Sequence, residues 1–174
     1  MTARLAVSHL DRRFAPTDVL RDISFEVGAG EFVSVIGPSG CGKSTLFNII
    51  AGLDLPDRGE VRVDGAIATG RVESCAYMPQ QDLLFPWRRV LENVTLGLEI
   101  RGVPRAEARA RAAALVPRFG LAGFERAYPH MLSGGMRQRA ALLRTVLLER
   151  PLLLLDEPLG ALDAITRTEL QEWL

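Results

Sequence analysis

Alternating hydrophobic and polar residues mark two segments in the first third of the chain. Residues 22–27 (DISFEV) place apolar side chains at every second position, and residues 60–65 (EVRVDG) repeat the pattern. Such alternation predicts strands with one buried face. The second segment ends in Asp64-Gly65, a pair typical of tight hairpin turns. We therefore expect an antiparallel β portion near the start of the chain.

Two further runs are almost continuously apolar, as is typical of buried parallel strands. They are residues 31–37 (EFVSVIG) and 151–158 (PLLLLDEP), the second of which ends in two carboxylates. Helices are predicted between them, over residues 104–116 and from Ser133 towards Glu149. This order of elements predicts an α/β fold with a mostly parallel central sheet, the antiparallel β portion and an α-helical insert.

The helix predicted after Ser133 has an apolar face, and Ser133 is expected to cap its first turn. The residues that this face would bury are Met136, Ala140, Leu143 and Leu147. The last segment, residues 166–174, also has a helical pattern and carries neither Gly nor Pro at its end. We expect it to be a helix that is cut within the element.

Composition sets limits on the class of protein. The chain has 174 residues, 48% of them hydrophobic and 24% charged, as expected for one folded domain. Lys and Arg together number 21, equal to Asp and Glu, so the chain has no net positive charge that would attract nucleic acid or anionic lipid. The sequence predicts neither a secretory signal nor a membrane-spanning helix. Cys41 and Cys75 are expected to be free thiols in a reducing cytosol.

The strongest chemical signal is GPSGCGKST, which fits the phosphate-binding motif G-x-x-x-x-G-K-[ST]. Glycines let the backbone curl until several N–H groups converge on a polyphosphate, and the helix that follows directs its positive end at the anion. Lys43 is expected to contact the outer phosphates, and Ser44 to bind Mg²⁺. The residues predicted to bind ATP here are Gly37, Pro38, Ser39, Gly40, Cys41, Gly42, Lys43, Ser44 and Thr45.

Two carboxylates follow the second apolar run, where ligands bind at the ends of strands in α/β sheets. Asp156 is expected to hold Mg²⁺, and Glu157 to align and deprotonate the attacking water. A solvated turn is the alternative interpretation of this segment, since Asp-Glu-Pro is a common turn composition.

A second candidate phosphate site begins the helix after Leu132. Ser133, Gly134 and Gly135 offer N–H groups, a hydroxyl and a positive helix end, although a capped helix after a loop would have the same sequence. Both sites could serve one nucleotide if two copies of the chain face each other head to tail. Each triphosphate would then lie between the glycine loop of one copy and the serine-glycine turn of the other.

The motifs GPSGCGKST, LSGGM followed by RQR, LLLLDEP and GALD, in this order and spacing, resemble the ATP-binding subunit of ABC transporters. The resemblance covers essentially the whole chain. It implies a P-loop NTPase (RecA-like) core with ATP and Mg²⁺ bound, and the dimer just described. We accordingly expect one domain over residues 1–174, with a nucleotide-binding core at 1–81 and 148–174 and a helical subdomain at 82–147.

The resemblance also implies roles for single residues. Phe14 would stack on adenine, although a core or hairpin aromatic is the alternative. Gln80 would contact Mg²⁺ and the attacking water, with Gln81 as the alternative glutamine. Asp163 would contact the partner's site. The segment 83–87, from Leu83 to Trp87, would face the coupling helices of a membrane permease, although a buried tryptophan is an equally common arrangement.

The details of the motifs are similar to those of importers for nitrate, sulfonate, taurine and thiamine precursors. Such a subunit would lie peripherally on the cytoplasmic face of the membrane and bind a membrane permease directly. A solute-binding protein would be an indirect partner, through the permease. Neither a soluble ABC-type ATPase acting on nucleic acid or ribosomes nor a nucleotide-binding remnant without transport activity is excluded.

One family feature has no counterpart in this sequence. The family's switch histidine follows the position of Asp156 by more residues than this chain has after Asp156, and His9 and His130 lie elsewhere. We therefore expect a C-terminally truncated chain in which ATP binding survives better than turnover. A version extended by its natural downstream residues should then hydrolyse ATP faster than residues 1–174.

Overall fold

The computed structural model describes residues 3–158, and these divide into two compact units. One unit contains the chain up to Ala76 together with Arg150–Asp156, and the other contains Tyr77–Glu149 and the described residues from Glu157. The strands are β1 (Leu5–Phe14), β2 (Thr17–Val27), β3 (Arg58–Val63), β4 (Ala66–Ile67), β5 (Ala76–Met78) and β6 (Leu153–Leu155). The helices are α1 (Lys43–Ile50), α2 (Val90–Ile100), α3 (Arg105–Leu115) and α4 (Gly134–Val146), with a 3-10 turn at Pro129–Met131.

The first unit is organised around an antiparallel sheet with strand order β2-β1-β3-β4. Val7 on β1 pairs with Phe25 on one side and with Val61 on the other. Val7 and Val61 are buried, as the alternation of apolar and polar residues predicts. Asp64 and Gly65 both have positive φ, at 50° and 76°, and form the tight turn between β3 and β4. The predicted antiparallel portion is confirmed.

The prediction of a buried strand before the glycine loop is wrong. Residues 31–37 form no strand in the described structure, and Phe32 and Ile36 are 84% and 93% exposed. A buried parallel strand needs hydrogen-bonded neighbours on both sides, and the four-stranded sheet of this unit is assembled from antiparallel strands that exclude this segment. Hydrophobic content alone could not reveal whether those neighbours exist.

The end of the first unit positions the acidic residue that follows β6. The backbone N–H of Ala76, at the start of β5, donates to the carbonyl of Leu152 at 2.9 Å. Leu152 and Leu154 are buried, so the apolar run PLLLL is fixed by burial as well as by this bond. The strand β6 ends at Leu155, immediately before Asp156.

The second unit is helical, with α2 packed against both α3 and α4. Helix α3 starts one residue after Pro104 and buries Ala108 and Ala112. Helix α4 begins directly after Ser133, which caps it, so both predicted helices are confirmed. Ala140, Leu143 and Leu147 are buried as predicted, and Met136 is half-buried.

Helix α2 was not predicted, because polar residues interrupt its apolar face. Asn93 is fully buried and donates to the carbonyls of Phe85, Arg88 and Arg89, so it fixes the turn that leads into the helix. Thr95 is also buried and bonds to the carbonyl of Leu91. Both side chains satisfy their polar atoms against backbone, which permits burial at little cost. The predicted helix at 166–174 lies outside the described residues.

Candidate nucleotide-binding site

The glycine loop, residues 37–42, leads directly into α1. Gly42 has φ of 101°, and a Cβ atom there would lie 3.0 Å from the carbonyl oxygen of Val19, so a glycine is required for both backbone shape and space. Gly42 is also the N-cap of α1, and no side chain caps the helix or places an acidic group in its first turn. The positive end of this helix therefore faces the loop with no acidic residue of its own first turn beside it.

Lys43 folds its ammonium back onto the loop that precedes it. Its Nζ donates to the carbonyl of Gly37 at 2.8 Å and to the carbonyl of Pro38 at 2.9 Å, and the Sγ of Cys41 lies 3.9 Å away. An ammonium attracts carbonyl oxygens weakly compared with ionised phosphate oxygens. The lysine is thus positioned inside the loop by contacts that a phosphate group can replace.

Ser44 and Asp156 meet at the start of α1. The Oγ of Ser44 donates to Oδ2 of Asp156 at 2.6 Å, and Asp156 is only 4% exposed. A hydroxyl and a carboxylate are hard oxygen ligands that suit Mg²⁺, which takes one or two protein oxygens and fills its shell with water and phosphate oxygens. The two residues therefore fit a magnesium ion. Residues 3–158 contain no group of three or more His, Cys, Asp or Glu placed to hold a metal.

Glu157 follows Asp156 in sequence and is held by two glutamines of the second unit. Gln80 donates from Nε2 to the carboxylate Oε2 at 2.9 Å, and Gln138 donates from Nε2 to the backbone carbonyl at 2.8 Å. Glu157 has φ of 52°, a left-handed conformation that costs free energy for a residue with a Cβ. Gln80 therefore touches the predicted base, whereas no hydrogen bond joins Gln81 to Glu157 among the described residues.

Two arginines of α4 hold the segment that follows Gln80. The Nε of Arg137 lies 3.2 Å from the carboxylate of Asp82, and Arg144 donates to the carbonyls of Asp82 and Leu83 at 2.7 and 2.8 Å. Burial lowers the pKa of Arg144, and the nearby Asp82 partly opposes this effect. The segment is thereby attached to the same helix that carries Gln138.

A cavity of about 460 Å³ lies within the second unit, between this segment and the start of α4. Five of the seven residues that line it have polar or charged side chains. The residues that line it are Gln80, Gln81, Asp82, Leu83, Gly134, Arg137 and Gln138.

The serine-glycine turn is exposed at the N-terminus of α4. The Oγ of Ser133 accepts from the N–H of Met136 at 3.2 Å, which is the capping bond that the sequence predicts. A Cβ atom at Gly134 would meet nothing within 4 Å. The turn therefore presents a helix end with open space in front of it, as an anion-binding surface requires.

The two predicted aromatic contact residues are accessible. Phe14 ends β1, is 47% exposed, and has the guanidinium of Arg12 at 4.5 Å from its ring centroid. Trp87 is 70% exposed and contacts Phe85 at 5.3 Å between ring centroids, so the alternative of a buried tryptophan does not describe this structure. Asp163 lies outside the described residues.

Sequence reasoning assigned no role to three residues that organise the site in the second unit. Arg137, Gln138 and Arg144 all lie on α4, and Gln138 is buried in the middle of that helix. The RQR motif contains Arg137 and Gln138, and a polar residue at a buried helical position is a further signal that marks Gln138. The contacts of Arg137 and Arg144 could not be predicted, because a sequence alone does not show which oxygen atoms they reach.

The architecture and the motifs agree with comparisons to known proteins. The sequence pattern of the ABC transporter family matches residues 20–160, and the chain belongs to this family. The chain is 50% identical over 156 residues to a formylaminopyrimidine import ATP-binding protein of Halalkalibacterium halodurans, covering 90% of this chain and 60% of that protein. It is 49% identical over 168 residues to an aliphatic sulfonates import ATP-binding protein of Pseudomonas aeruginosa, covering 97% and 59%.

A solved structure supports the fold. The chain is similar to the ATP-binding cassette MJ0796, solved as a dimer in a post-hydrolysis state bound to ADP and Pi. The TM-score is 0.86 at 31% identity, covering 97% of this chain and 80% of that one. The predicted P-loop NTPase class is therefore confirmed. The chain spans about 60% of the length of the two import proteins. Among the described helices, none is long and apolar enough to cross a membrane.

Proposed function

We propose that the chain is the ATP-binding and ATP-hydrolysing subunit of an ABC importer that acts through a separate membrane permease. The observation that carries this proposal is the bond between Ser44 and Asp156, which places two hard oxygen ligands at the end of the glycine loop. The relatives named as import ATP-binding proteins support the transport direction.

ATP binding would use contacts that the loop already organises. The N–H groups at the start of α1 would donate to the phosphates, and the ammonium of Lys43 would exchange the carbonyls of Gly37 and Pro38 for outer phosphate oxygens. The exposed ring of Phe14 would stack on adenine, with the guanidinium of Arg12 packed against the ring.

Ser44, Asp156 and Gln80 would hold Mg²⁺, which supplies positive charge to the phosphate oxygens when it is bound. Glu157 would accept a proton from the attacking water. The water oxygen then forms a bond to the γ-phosphorus, and the bond to the β–γ bridging oxygen breaks to release ADP. Gln80, which already donates to the carboxylate of Glu157, would orient that carboxylate and the water.

The open serine-glycine turn would complete the site of a second copy. Ser133, Gly134 and Gly135 would contact the γ-phosphate that the partner's glycine loop binds, and Asp163 would contact the partner's site. The dimeric cassette MJ0796 supports such an assembly. The segment from Leu83 to Trp87, which is exposed except at Leu84, would bind the permease, and the subunit would then lie peripherally on the cytoplasmic face of the membrane.

The experiment exploits a feature of the composition. Lys43 is the only lysine in the sequence, so an amine-directed acylating reagent has one side-chain target. Mass spectrometry should show that saturating Mg-ATP slows acylation of Lys43 by about tenfold or more. The reason is that the ammonium of Lys43 then binds phosphate oxygens and is shielded from the reagent. Acylation of the N-terminal amine is the internal reference. Equal acylation of Lys43 with and without Mg-ATP would contradict the proposal.

A further inference from the structure

We propose that Gln138 is a positioning residue for Glu157, and that it acts from the helix that carries the serine-glycine turn. The inference rests on the proposed function, since it assumes that Glu157 is the base. It assigns a role to the middle residue of the RQR motif, for which the resemblance had implied none.

The direction of the bond between the two residues is fixed by chemistry. A backbone carbonyl can only accept, so the side-chain amide of Gln138 must donate to the oxygen of Glu157, across 2.8 Å. Gln138 is 9% exposed and lies within α4, so its backbone is held by the helix. The donor is therefore presented from a rigid element rather than from a loop.

Glu157 needs such a contact because its backbone conformation is unfavourable. At φ of 52° the residue lies in the left-handed region, which persists only when the surroundings hold it. Gln138 fixes the carbonyl, and Gln80 fixes the carboxylate at 2.9 Å. With both ends held, the carboxylate points in one direction, as a general base requires.

The position of Gln138 also links the base to the second phosphate site. Ser133 caps α4, and Gln138 follows it by five residues on the same helix. Any ligand that binds the serine-glycine turn therefore contacts the element that holds the backbone of Glu157. Arg137 and Arg144 attach the segment after Gln80 to this helix as well, so both contacts to Glu157 depend on α4.

The test uses Gln138→Leu, which keeps the size of the side chain and removes its donor, and Gln138→Glu, which offers only acceptors at neutral pH. Each is made in the full natural chain, and the ATP Kd and the single-turnover hydrolysis rate are measured. We expect the rate to fall by about 10- to 100-fold while the ATP Kd stays within about twofold. The matched control is Thr145→Val, which removes another buried side-chain bond of α4, at 2.9 Å to Ala141, without any contact to Glu157.

A merely structural role would give a different pattern. If Gln138 only stabilises α4, then Thr145→Val should lower the hydrolysis rate as much as Gln138→Leu does, and the inference is overturned. Melting temperatures of all variants show whether folding is affected, and Gln138→Glu replaces Gln138→Leu if the latter does not fold. An unchanged hydrolysis rate in both variants also overturns the inference.

The double variant separates this inference from the proposed function. In a Glu157→Gln background, Gln138→Leu should lower the residual rate by less than about twofold, because both changes act through one base. A further large loss would show that Gln138 acts elsewhere, which contradicts the inference alone. If Glu157→Gln by itself leaves hydrolysis intact, the proposed function fails and the inference fails with it.

Discussion

Ser44 and Asp156 share a hydrogen bond of 2.6 Å, although 112 positions separate them in the sequence. The bond joins the first turn of α1 to the residue that follows β6. Because Asp156 is nearly buried, its carboxylate has few other positions available, and Ser44 receives a fixed partner. Through this pair, the helix that follows the glycine loop and the carboxylate that follows β6 form one site.

The charge of Asp156 should govern the effect of magnesium on nucleotide affinity. Asp156→Asn keeps a partner for Ser44 but removes the charge that attracts Mg²⁺. We expect the affinity for Mg-ATP to fall by about tenfold or more, while ATP in EDTA binds within about twofold of the unmodified protein. Titration with a fluorescent ATP analogue under both conditions measures this. The control is Asp64→Asn, which alters an exposed carboxylate paired with Arg4, and an equal loss in EDTA would contradict the assignment.

The backbone of the glycine loop should not tolerate a side chain at Gly42. Gly42→Ala places a Cβ on a residue with φ of 101°, at 3.0 Å from the carbonyl oxygen of Val19. We therefore expect the free energy of unfolding to fall by about 1–3 kcal/mol. Gly134→Ala has open space around the new atom and should change stability by less than about 0.5 kcal/mol. Urea denaturation compares the two. Equal losses would mean that the local geometry of Gly42 does not matter.

The two cysteines should differ sharply in reactivity. Burial raises the pKa of Cys75 to about 11, although the Ser74 hydrogen bond and the charge of Arg150 oppose the shift. At pH 8 its thiol is therefore protonated in all but roughly one molecule in a thousand, whereas the exposed Cys41 is accessible. Brief alkylation at pH 8 should modify Cys41 and spare Cys75. Labelling of Cys75 should rise as the pH approaches 11, and Cys41→Ser isolates this signal. Rapid labelling of Cys75 at pH 8 would contradict its burial.

The exposed Trp87 should matter for partner binding and not for folding. Trp87→Ala should change the free energy of unfolding by less than about 0.5 kcal/mol, because the side chain is 70% exposed. It should weaken binding to the permease by about tenfold or more, as the removal of a tryptophan from the centre of an interface does. Co-purification and a binding titration with the permease measure this. Phe124→Ala removes another exposed aromatic outside the segment and serves as the control. Equal effects of the two variants would refute a docking role for Trp87.

Local patterns were sufficient for elements whose partners lie nearby. The hairpin at Asp64-Gly65 and the cap at Ser133 are encoded in a few adjacent residues, and both are present. Residues 31–37 show the opposite case, since their burial depends on neighbouring strands that the segment itself does not specify. The contact of Gln138 was not predicted for a related reason. Its role depends on the carbonyl of Glu157, which only folding brings within hydrogen-bond distance.

The central claim is that one ATP is enclosed by the glycine loop of one copy and the serine-glycine turn of another. Analytical ultracentrifugation of Glu157→Gln in the full natural chain tests it most directly, since this variant should bind ATP without consuming it. We predict a dimer in saturating Mg-ATP, a monomer in Mg-ADP, and loss of the dimer when Ser133→Arg is added. A protein that binds Mg-ATP at Lys43 and yet remains monomeric would contradict the account.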